Sequence, residues 1–403
     1  MGTPIGQSAR IISLDILRGF ALLGILIINI QSFAMPGAAY LNPSAWGDLT
    51  GINKAVWIAS HVLADSKMMA IFSILFGAGI ILIIEKASTK GRSGRSLHLK
   101  RMFWLLLFGL IHAHLIWYGD ILVAYAICGV IAYMFHKKTP KTLIIIGFIF
   151  IAIHTLIYTF FGLSIAHIPE DQLVEMMADW APSMDTMIEE ISLVTGSLGD
   201  QIAHNSESAT MLETFVFFIL FLWRATGLML IGMALYKSGV LSAQRSTSFY
   251  KKGWLWAWFI GFPIVLLGVY QNFAQDWTYT YSMFIGSQPN YWGSLGVSFG
   301  YICLLMLMIQ KGTFRGLQDR LASAGQMAFT NYISQSLICV FIFWGAGLGL
   351  FGQMDRWQQI LVVFGVWTLQ LLWSKPWLER YKFGPLEWLW RSLTYGQFQK
   401  MKK

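Results

Sequence analysis

A histidine and an aspartate lie close together in the first third of this chain, between long apolar runs. His112 precedes Asp120 by eight residues, and the segment between them ends one run and begins the next. Imidazole exchanges a proton near neutral pH, and a nearby carboxylate can fix its tautomer. The pair therefore predicts general acid–base chemistry, with a structural histidine bonded to a neighbouring helix as the alternative. His61 is a second candidate base, since it lies in a loop expected on the same side.

Two arginines and an asparagine lie within apolar runs, where polar groups are rare. Arg18 and Asn29 are eleven residues apart, which on an α-helix places them on nearly one face, about 16 Å apart along the axis. Arg224 lies midway along another run and, like Arg18, suits a carboxylate or phosphate. Asn29 suits a carbonyl or oxyanion. The alternative for Arg224 is a buried ion pair, with Asp15 as its partner.

Four further polar residues belong to the candidate site. Asp65 and Lys67 stand where an apolar run begins, on the side expected for His112. Asn331 and Gln335 are four residues apart, so they share one face of a later helix. Strongly polar side chains are costly in hydrocarbon, which makes such residues functional candidates, with hydrogen bonding between helices as the alternative.

The pattern does not predict a metal centre or a disulfide. His112 and His114 are two residues apart, so on a helix their side chains point about 200° away from each other. Cys128, Cys303 and Cys339 lie inside apolar runs without a CxxC spacing, which is typical of small buried residues.

Membrane helices are the elements that must position these residues. Apolar residues make up 56% of the 403 positions and charged residues 12%, and the mean hydropathy is +0.57, which excludes a soluble globular enzyme. Apolar runs of spanning length predict an all-α fold of about ten transmembrane helices. The predicted spans are Ile12 to Gln31, Ser66 to Ile84, Met102 to Tyr118, Ile121 to Met134, Thr142 to Leu163, Thr214 to Tyr236, Trp254 to Phe273, Trp292 to Gln310, Ala324 to Gly347 and Gln359 to Leu372.

Basic residues are distributed so that alternate loops carry nearly all of them. Of the 29 Lys and Arg residues, only Lys54, Lys67, Arg224 and Arg356 fall outside one set of loops. Short basic loops resist translocation, so we expect both termini to be cytoplasmic. The net charge of +9 then reflects topology and contact with anionic lipids, and nucleic-acid binding is not expected.

An acidic segment divides the chain into two halves. Residues 164–213 contain ten Asp and Glu residues and no Lys or Arg, so we expect them outside, as two short amphipathic helices on the membrane surface. Whether this segment is a lid over a site or a solvated connector stays open. The predicted organisation is a five-helix half at 1–163, the acidic loop, a second five-helix half at 214–375 and a basic cytoplasmic tail at 376–403.

Six blocks of sequence resemble the YeiB-like family of bacterial inner-membrane proteins, whose domain has no established function. The resemblance covers nearly the whole chain and implies a multi-pass protein of the inner membrane. The blocks are Ser13 to Gly24 with Asn29, Ala64 to Lys67 with Leu75 to Gly79, Gly109 to His112 with Trp117 to Leu122, Gly227 to Tyr236, Ala328 to Tyr332, and Gly384 to Gly396.

The first block also resembles the start of two kinds of membrane acyltransferase. In the acyltransferase-three type an Arg is followed after ten residues by a His, whereas here Arg18 is followed by Asn29. Heparan-alpha-glucosaminide N-acetyltransferase resembles this chain in having Asn there, with its catalytic His later on the outer side. The resemblance does not choose between His61 and His112 for that role.

These resemblances imply a membrane-bound acyltransferase. An acyl-CoA donor such as acetyl-CoA would enter from the cytoplasm, bound by Arg18 and Arg224, and Asn29 would polarise the thioester. His112, oriented by Asp120, would deprotonate an acceptor at the outer face. The alternatives are a transporter or exporter of a small anionic or amphipathic solute, using the same residues, and a non-catalytic scaffold or sensor. Membrane lipids and a small-molecule substrate are the expected partners, and homo-oligomerisation stays open.

Overall fold

The computed structural model describes residues 11–89 and 91–403, and it is all-helical, with 78% of residues in helices. Six apolar segments are long enough to cross a membrane. They are Ile12–Ala34, Gly51–Ser88, Pro140–His167, Leu198–Lys237, Thr247–Ala274 and Gln288–Lys311. A seventh candidate is a pair of helices, Arg315–Gln326 and Ala328–Phe343, which meet at an angle of 82°.

Nineteen α-helices are numbered here in chain order over the described residues. They are α1 (Ile12–Ala34), α2 (Ala38–Leu41), α3 (Gly51–Leu63), α4 (Lys67–Ser88), α5 (Gly94–Leu115), α6 (Leu122–Tyr133), α7 (Pro140–Ser164), α8 (Glu170–Trp180), α9 (Met184–Thr195), α10 (Leu198–Met211), α11 (Leu222–Lys237), α12 (Thr247–Trp256), α13 (Phe262–Ala274), α14 (Tyr279–Ser282), α15 (Gln288–Lys311), α16 (Arg315–Gln326), α17 (Ala328–Phe343), α18 (Arg356–Arg380) and α19 (Pro385–Tyr395). Short π-helical segments join α10 to α11 and α12 to α13.

The first helix is central to the bundle. Its 23 residues form a rod of about 34 Å that packs against α4, α16, α17 and α18. Most of its side chains are buried, including the whole run from Ala21 to Gly24. The apolar run that predicts this helix therefore also supplies the core against which the later helices pack.

Close helix crossings depend on glycines at defined positions. At the α4–α11 crossing, a Cβ added to Gly77 would meet the Met229 carbonyl, and one added to Gly232 would meet the Ile74 carbonyl. The glycines at these positions thus allow the two backbones to touch. Gly79, one of the same group in the sequence, has open space where its Cβ would be and plays no such part.

One predicted span, Ala324 to Gly347, is wrong as a continuous helix. The chain turns sharply at Met327, between α16 and α17. The side chain of Glu387, from α19, accepts hydrogen bonds from the backbone N–H groups of Phe329 and Thr330 at 2.6 and 3.1 Å. A carboxylate at these first amides satisfies a new helix start, which explains why α17 begins there.

The acidic segment forms three helices rather than two. The two predicted amphipathic helices are present as α8 and α9, and α10 then runs on through a π-helical segment into α11. The helix that contains the sixth predicted span therefore begins at Leu198 and not at Thr214. The Glu190 carboxylate accepts from the Gly37 N–H at 3.0 Å, and Trp180 Nε1 donates to the Trp277 carbonyl at 2.8 Å. Burial raises the pKa of Glu190, so this contact is partly withdrawn from water.

Candidate functional site

Asp120, His112 and Ser336 form one chain of hydrogen bonds, which we term the relay. His112 Nδ1 lies 2.7 Å from Asp120 Oδ1, and His112 Nε2 lies 2.9 Å from Ser336 Oγ. Only 1% of the His112 side chain and 2% of the Asp120 side chain are exposed, and Ser336 is also buried. Since a carboxylate only accepts, Nδ1 carries the proton and Nε2 accepts from the Ser336 hydroxyl.

Local backbone geometry holds the first two members of the relay. His112 lies in the last turn of α5, and its carbonyl accepts from the N–H groups of Ile116 and Trp117 as the helix ends. The chain returns within a few residues, and Asp120 Oδ2 accepts from the Val123 N–H at 2.8 Å in the first turn of α6. Asp120 is therefore oriented by its own helix start while its other oxygen holds the imidazole. The contact expected between the two residues is present.

Ser336 belongs to α17 and is 224 residues away from His112 in the chain. A serine inside a helix commonly donates to the carbonyl four residues earlier. The Ser336 hydroxyl instead bonds to the imidazole and makes no other hydrogen bond within the described residues. The Ser336 hydroxyl therefore directs its proton at His112 Nε2, which can accept it.

Aromatic side chains enclose the relay. The rings of Tyr332 and Trp117 lie 5.2 and 6.2 Å from the His112 imidazole, centroid to centroid. Trp117 also stacks on Phe33 of α1 at 3.9 Å. Its indole N–H is buried without a hydrogen-bond partner among the described residues. An unused donor therefore lies beside the catalytic candidate.

Asn29 lies on the side of α1 that faces this region. The side chains three and four residues later contact the loop after His112: Ser32 bonds to the Tyr118 hydroxyl at 2.9 Å, and Phe33 stacks on Trp117. Asn29 itself is half-buried and makes no side-chain hydrogen bond to any described residue. Its amide is therefore free to bind a ligand.

Three outer candidates, His61, Asp65 and Lys67, form a separate group with Arg224 and Asn290, which we term the cation network. The buried Lys67 ammonium donates to the His61 carbonyl at 2.8 Å and to Asn290 Oδ1. Asn290 Nδ2 in turn donates to Asp65 Oδ2 at 2.7 Å. His61 lies in helix α3 rather than in a loop, and its Nδ1 is 3.0 Å from Asp65 Oδ2.

Arg224 contributes the second buried cation of this network. It donates to the Tyr291 carbonyl at 3.0 Å and to Ser294 Oγ at 2.8 Å, and it lies 4.3 Å above the Tyr291 ring. The alternative for Arg224, an ion pair with Asp15, is not formed among the described residues. Asp15 pairs with Arg18 at 2.8 Å, because the two are three residues apart on α1.

Asn331 and Gln335 connect helices. Asn331 Nδ2 donates to the Ala324 carbonyl and to Ser374 Oγ, both at 3.1 Å. Gln335 Nε2 donates to the Leu22 carbonyl at 3.3 Å and to Gln370 Oε1 at 3.0 Å. Both amides join α17 to its neighbours, which corresponds to the alternative of hydrogen bonding between helices.

The two neighbouring histidines of α5 diverge. His114 Nε2 lies 3.4 Å from Glu213 Oε2, whereas His112 Nδ1 pairs with Asp120. Over residues 11–89 and 91–403, no group of three His, Cys, Asp or Glu side chains could hold a metal ion. The three cysteines are all buried.

Comparison with known proteins identifies relatives along the whole chain. Residues 235–397 match the family model described as a protein of unknown function (DUF418). The uncharacterized protein YeiB of Escherichia coli is 32% identical over 389 residues, which cover 96% of each chain. The uncharacterized protein YxaH of Bacillus subtilis is 29% identical over 415 residues, covering 99% of this chain and 98% of that one. An uncharacterized 39.9 kDa protein from the amylase 3′ region of Bacillus acidopullulyticus is 28% identical over 400 residues, 98% of this chain. With near-complete coverage of YeiB at this identity, the chain belongs to the YeiB-like family.

Proposed function

We propose that this protein is a transmembrane acyltransferase, which moves an acyl group from a cytoplasmic acyl-CoA donor to an acceptor at the outer face of a bacterial inner membrane. The observation that carries the proposal is the relay. It joins a carboxylate, an imidazole and a hydroxyl in the order used in nucleophilic acyl transfer. The resemblance of the first sequence block to transmembrane acyltransferases supports the reaction class by analogy.

The proposed topology has ten spanning helices and both termini in the cytoplasm. Besides the apolar candidates, it includes α5 and α18, whose 22 and 25 residues reach about 33 and 37 Å. The 12 residues of α6 reach only about 18 Å, so α6 would cross part of the hydrocarbon, protected by its neighbours. The distribution of Lys and Arg supports this orientation.

In the first half-reaction, the Ser336 hydroxyl gives its proton to His112 Nε2 while Oγ attacks the thioester carbonyl carbon. The carbon–sulfur bond breaks, and the leaving thiolate takes the proton from the imidazolium. The products are free CoA thiol and an acyl ester of Ser336. Asp120 keeps the imidazole in the required tautomer and stabilises its transient positive charge.

In the second half-reaction, an acceptor hydroxyl or amine gives its proton to His112 and attacks the ester carbonyl. The bond to Ser336 Oγ breaks, and Oγ recovers the proton. A covalent intermediate allows the donor and the acceptor to approach from opposite sides at different times. In the alternative mechanism, His112 deprotonates the acceptor, which attacks the thioester directly. The donor and the acceptor must then be bound at the same time.

The carbonyl oxygen carries negative charge in each transition state and requires donors. The Asn29 amide and the Trp117 indole N–H are the candidates, since neither has a hydrogen-bond partner among the described residues. Trp117 lies beside His112, and Asn29 precedes by one helical turn the α1 side chains that contact the loop after His112. Arg18 is about 16 Å from Asn29 along α1, which suits binding of a distant anionic part of the donor.

Covalent trapping tests the proposal. Purified protein is mixed with acetyl-CoA, butyryl-CoA or palmitoyl-CoA, quenched in acid and analysed by peptide mass spectrometry. We expect an ester on Ser336 with at least one donor, no ester at that position in Ser336→Ala, and much slower ester formation in His112→Ala, in variants that retain the wild-type unfolding temperature. If no donor acylates Ser336, the covalent mechanism is wrong. If Ser336→Ala releases CoA thiol at the wild-type rate, direct transfer replaces it.

A transporter is the second candidate, and the cation network favours it. Lys67 and Arg224 are both buried, and among the described residues neither has a carboxylate within ion-pair distance. Buried positive charge of this kind suits an anionic solute. This function predicts flux of a small carboxylate such as acetate into sealed proteoliposomes, with loss of flux in Arg224→Gln and no covalent product.

A further inference from the structure

Three arginines from distant parts of the chain come together and form what we term the arginine cluster: Arg18 of α1, Arg101 of α5 and Arg391 of α19. Helix α19 packs against α5, and Arg391 directly follows Trp390, which contacts Arg101. The charges of Arg391 and Arg18 both repel that of Arg101. Arg101 stacks on Trp390, with its guanidinium carbon 4.3 Å from the ring centroid. Trp390 Nε1 also donates to the Arg101 carbonyl at 3.1 Å, which fixes α19 against α5.

Aromatic rings also contact Arg391. The Arg391 guanidinium lies 4.9 Å from the Phe383 ring and 5.5 Å from the Tyr395 ring. Arg92 approaches the same Tyr395 ring at 5.6 Å. Stacking occupies the faces of a guanidinium group and leaves its N–H edges free. Those edges match the oxygens of a phosphate in a bidentate geometry.

The cluster has too few carboxylates for its charge. Asp15 pairs with Arg18, but no described carboxylate lies within ion-pair distance of Arg101 or Arg391. Glu387, one turn before Arg391, is bonded to the start of α17 instead. Arg101 Nε is buried without a hydrogen-bond partner among the described residues. Like charges held together in this way favour a bound anion.

Membrane topology alone does not account for this arrangement. Charges that only orient a chain in the membrane can remain on exposed, flexible side chains, as Arg95 and Lys100 do in the same region. Arg101, by contrast, is partly buried and stacked on Trp390, and it feels the charge of two other arginines. Holding it there has a cost that an anionic ligand would offset.

We propose that the arginine cluster binds a phosphate or diphosphate group, presented either by the nucleotide part of an acyl-CoA or by an anionic lipid headgroup. The recognition of phosphate does not depend on acyl transfer, and only the acyl-CoA source rests on the proposed function. Arg18 connects the two sites, because its face of α1 leads to Asn29 about 16 Å away, a distance that an extended pantetheine arm can cover.

The test compares Arg101→Gln/Arg391→Gln with the matched control Arg95→Gln/Lys100→Gln, which removes the same charge from exposed positions. Binding of coenzyme A and of inorganic diphosphate is measured by titration calorimetry in phosphatidylcholine nanodiscs. Co-purifying phosphatidylglycerol is measured by native mass spectrometry. Unfolding temperatures confirm that each variant is folded, and Arg101→Lys/Arg391→Lys keeps the charge if the glutamine variant does not fold.

If the source is acyl-CoA, we expect about tenfold weaker binding of coenzyme A and diphosphate in the cluster variant and less than twofold in the control. If the source is a lipid, wild type binds neither soluble ligand and the cluster variant loses phosphatidylglycerol selectively. Unchanged binding of all three ligands overturns the proposal. Ser336→Ala should bind coenzyme A like wild type, so a failure of the acyltransferase mechanism remains distinguishable from a failure of this site.

Discussion

The relay and the cation network are both buried, and each pairs a histidine with an aspartate, yet their hydrogen bonds end differently. In the relay the chain of bonds ends at the Ser336 hydroxyl, which has no other partner within the described residues. In the network the donors of Lys67 and Arg224 end on backbone carbonyls, an amide oxygen and a serine that itself donates to a carbonyl.

This difference separates residues that can move a proton from residues that can only hold a charge. A backbone carbonyl accepts a hydrogen bond but does not take up or release a proton at neutral pH, so the network stabilises its cations in place. An imidazole between a carboxylate and a hydroxyl can accept the hydroxyl proton and return it. Burial alone therefore does not identify a catalytic group in this fold.

Replacing His112 gives the largest expected effect on activity. In His112→Ala no group takes the Ser336 proton, so we expect acylation by a donor CoA to slow by about 10³-fold. His61→Ala is the matched control, because its imidazole bonds to Asp65 in the network, and it should change the rate by less than about threefold. Rapid-quench mass spectrometry of the acyl-protein measures both rates. Full acylation in a protein that carries both His61→Ala and His112→Ala would contradict the mechanism.

Asp120→Asn should have the next largest effect. The Val123 N–H needs an acceptor, so the new amide should turn its oxygen to Val123 and its NH₂ group to His112 Nδ1. Nε2 then carries the ring proton and cannot accept from Ser336, which should slow acylation about 10²-fold with little change in unfolding temperature. Glu213→Gln, which alters the carboxylate beside His114, serves as the control. Equal acylation rates in Asp120→Asn and Glu213→Gln would show that the tautomer of His112 does not affect the reaction.

The cation network should respond in stability rather than in rate. Asn290 bridges Lys67 and Asp65, so Asn290→Leu removes one hydrogen bond from each of two charged groups. We expect the free energy of unfolding to fall by about 2–3 kcal/mol, with the acylation rate within about threefold of wild type. Chemical denaturation in detergent measures the first quantity. A hundredfold loss of acylation in folded protein would place the network inside the reaction site.

Helices and the His112–Asp120 pair could be predicted because both depend on residues close together in sequence. Apolar runs predict the ends of α1 and α7 to within a few residues, and a helix end followed by a short return brings His112 to Asp120. The relay serine could not be predicted in this way. Ser336 is one of many small hydroxyls in apolar helices, and its position opposite His112 is a result of packing between distant segments.

The partners of Arg224 illustrate a second limit. Counting charges suggests a carboxylate for every buried arginine, whereas the partners of this one are a carbonyl and a serine of α15, which carry no charge. The break at Met327 is similar. It depends on Glu387, which lies far along the chain and binds the first amides of α17. In each case a polar group without a distinctive sequence pattern decides the geometry.

The smallest predicted effect concerns pH, and it isolates the contact between Glu190 and Gly37. Burial raises the pKa of Glu190 above its ordinary 4.5, so the folded state binds this proton more tightly than the unfolded state. The contribution of Glu190 to the free energy of unfolding therefore increases as the pH falls through the raised pKa, and it becomes constant below about 4.5.

Glu190→Gln should remove this dependence. Across the range from pH 7 to pH 4.5, the unfolding temperature of the variant should gain less on acidification than that of wild type. Asp200→Asn is the contrasting control: hydrogen bonds from Ser197 lower the pKa of Asp200 below its ordinary 3.8, so the effect of that substitution should be the same at every pH in this range. Equal gains in wild type and Glu190→Gln would show that the contact between α9 and Gly37 does not cause the pH dependence.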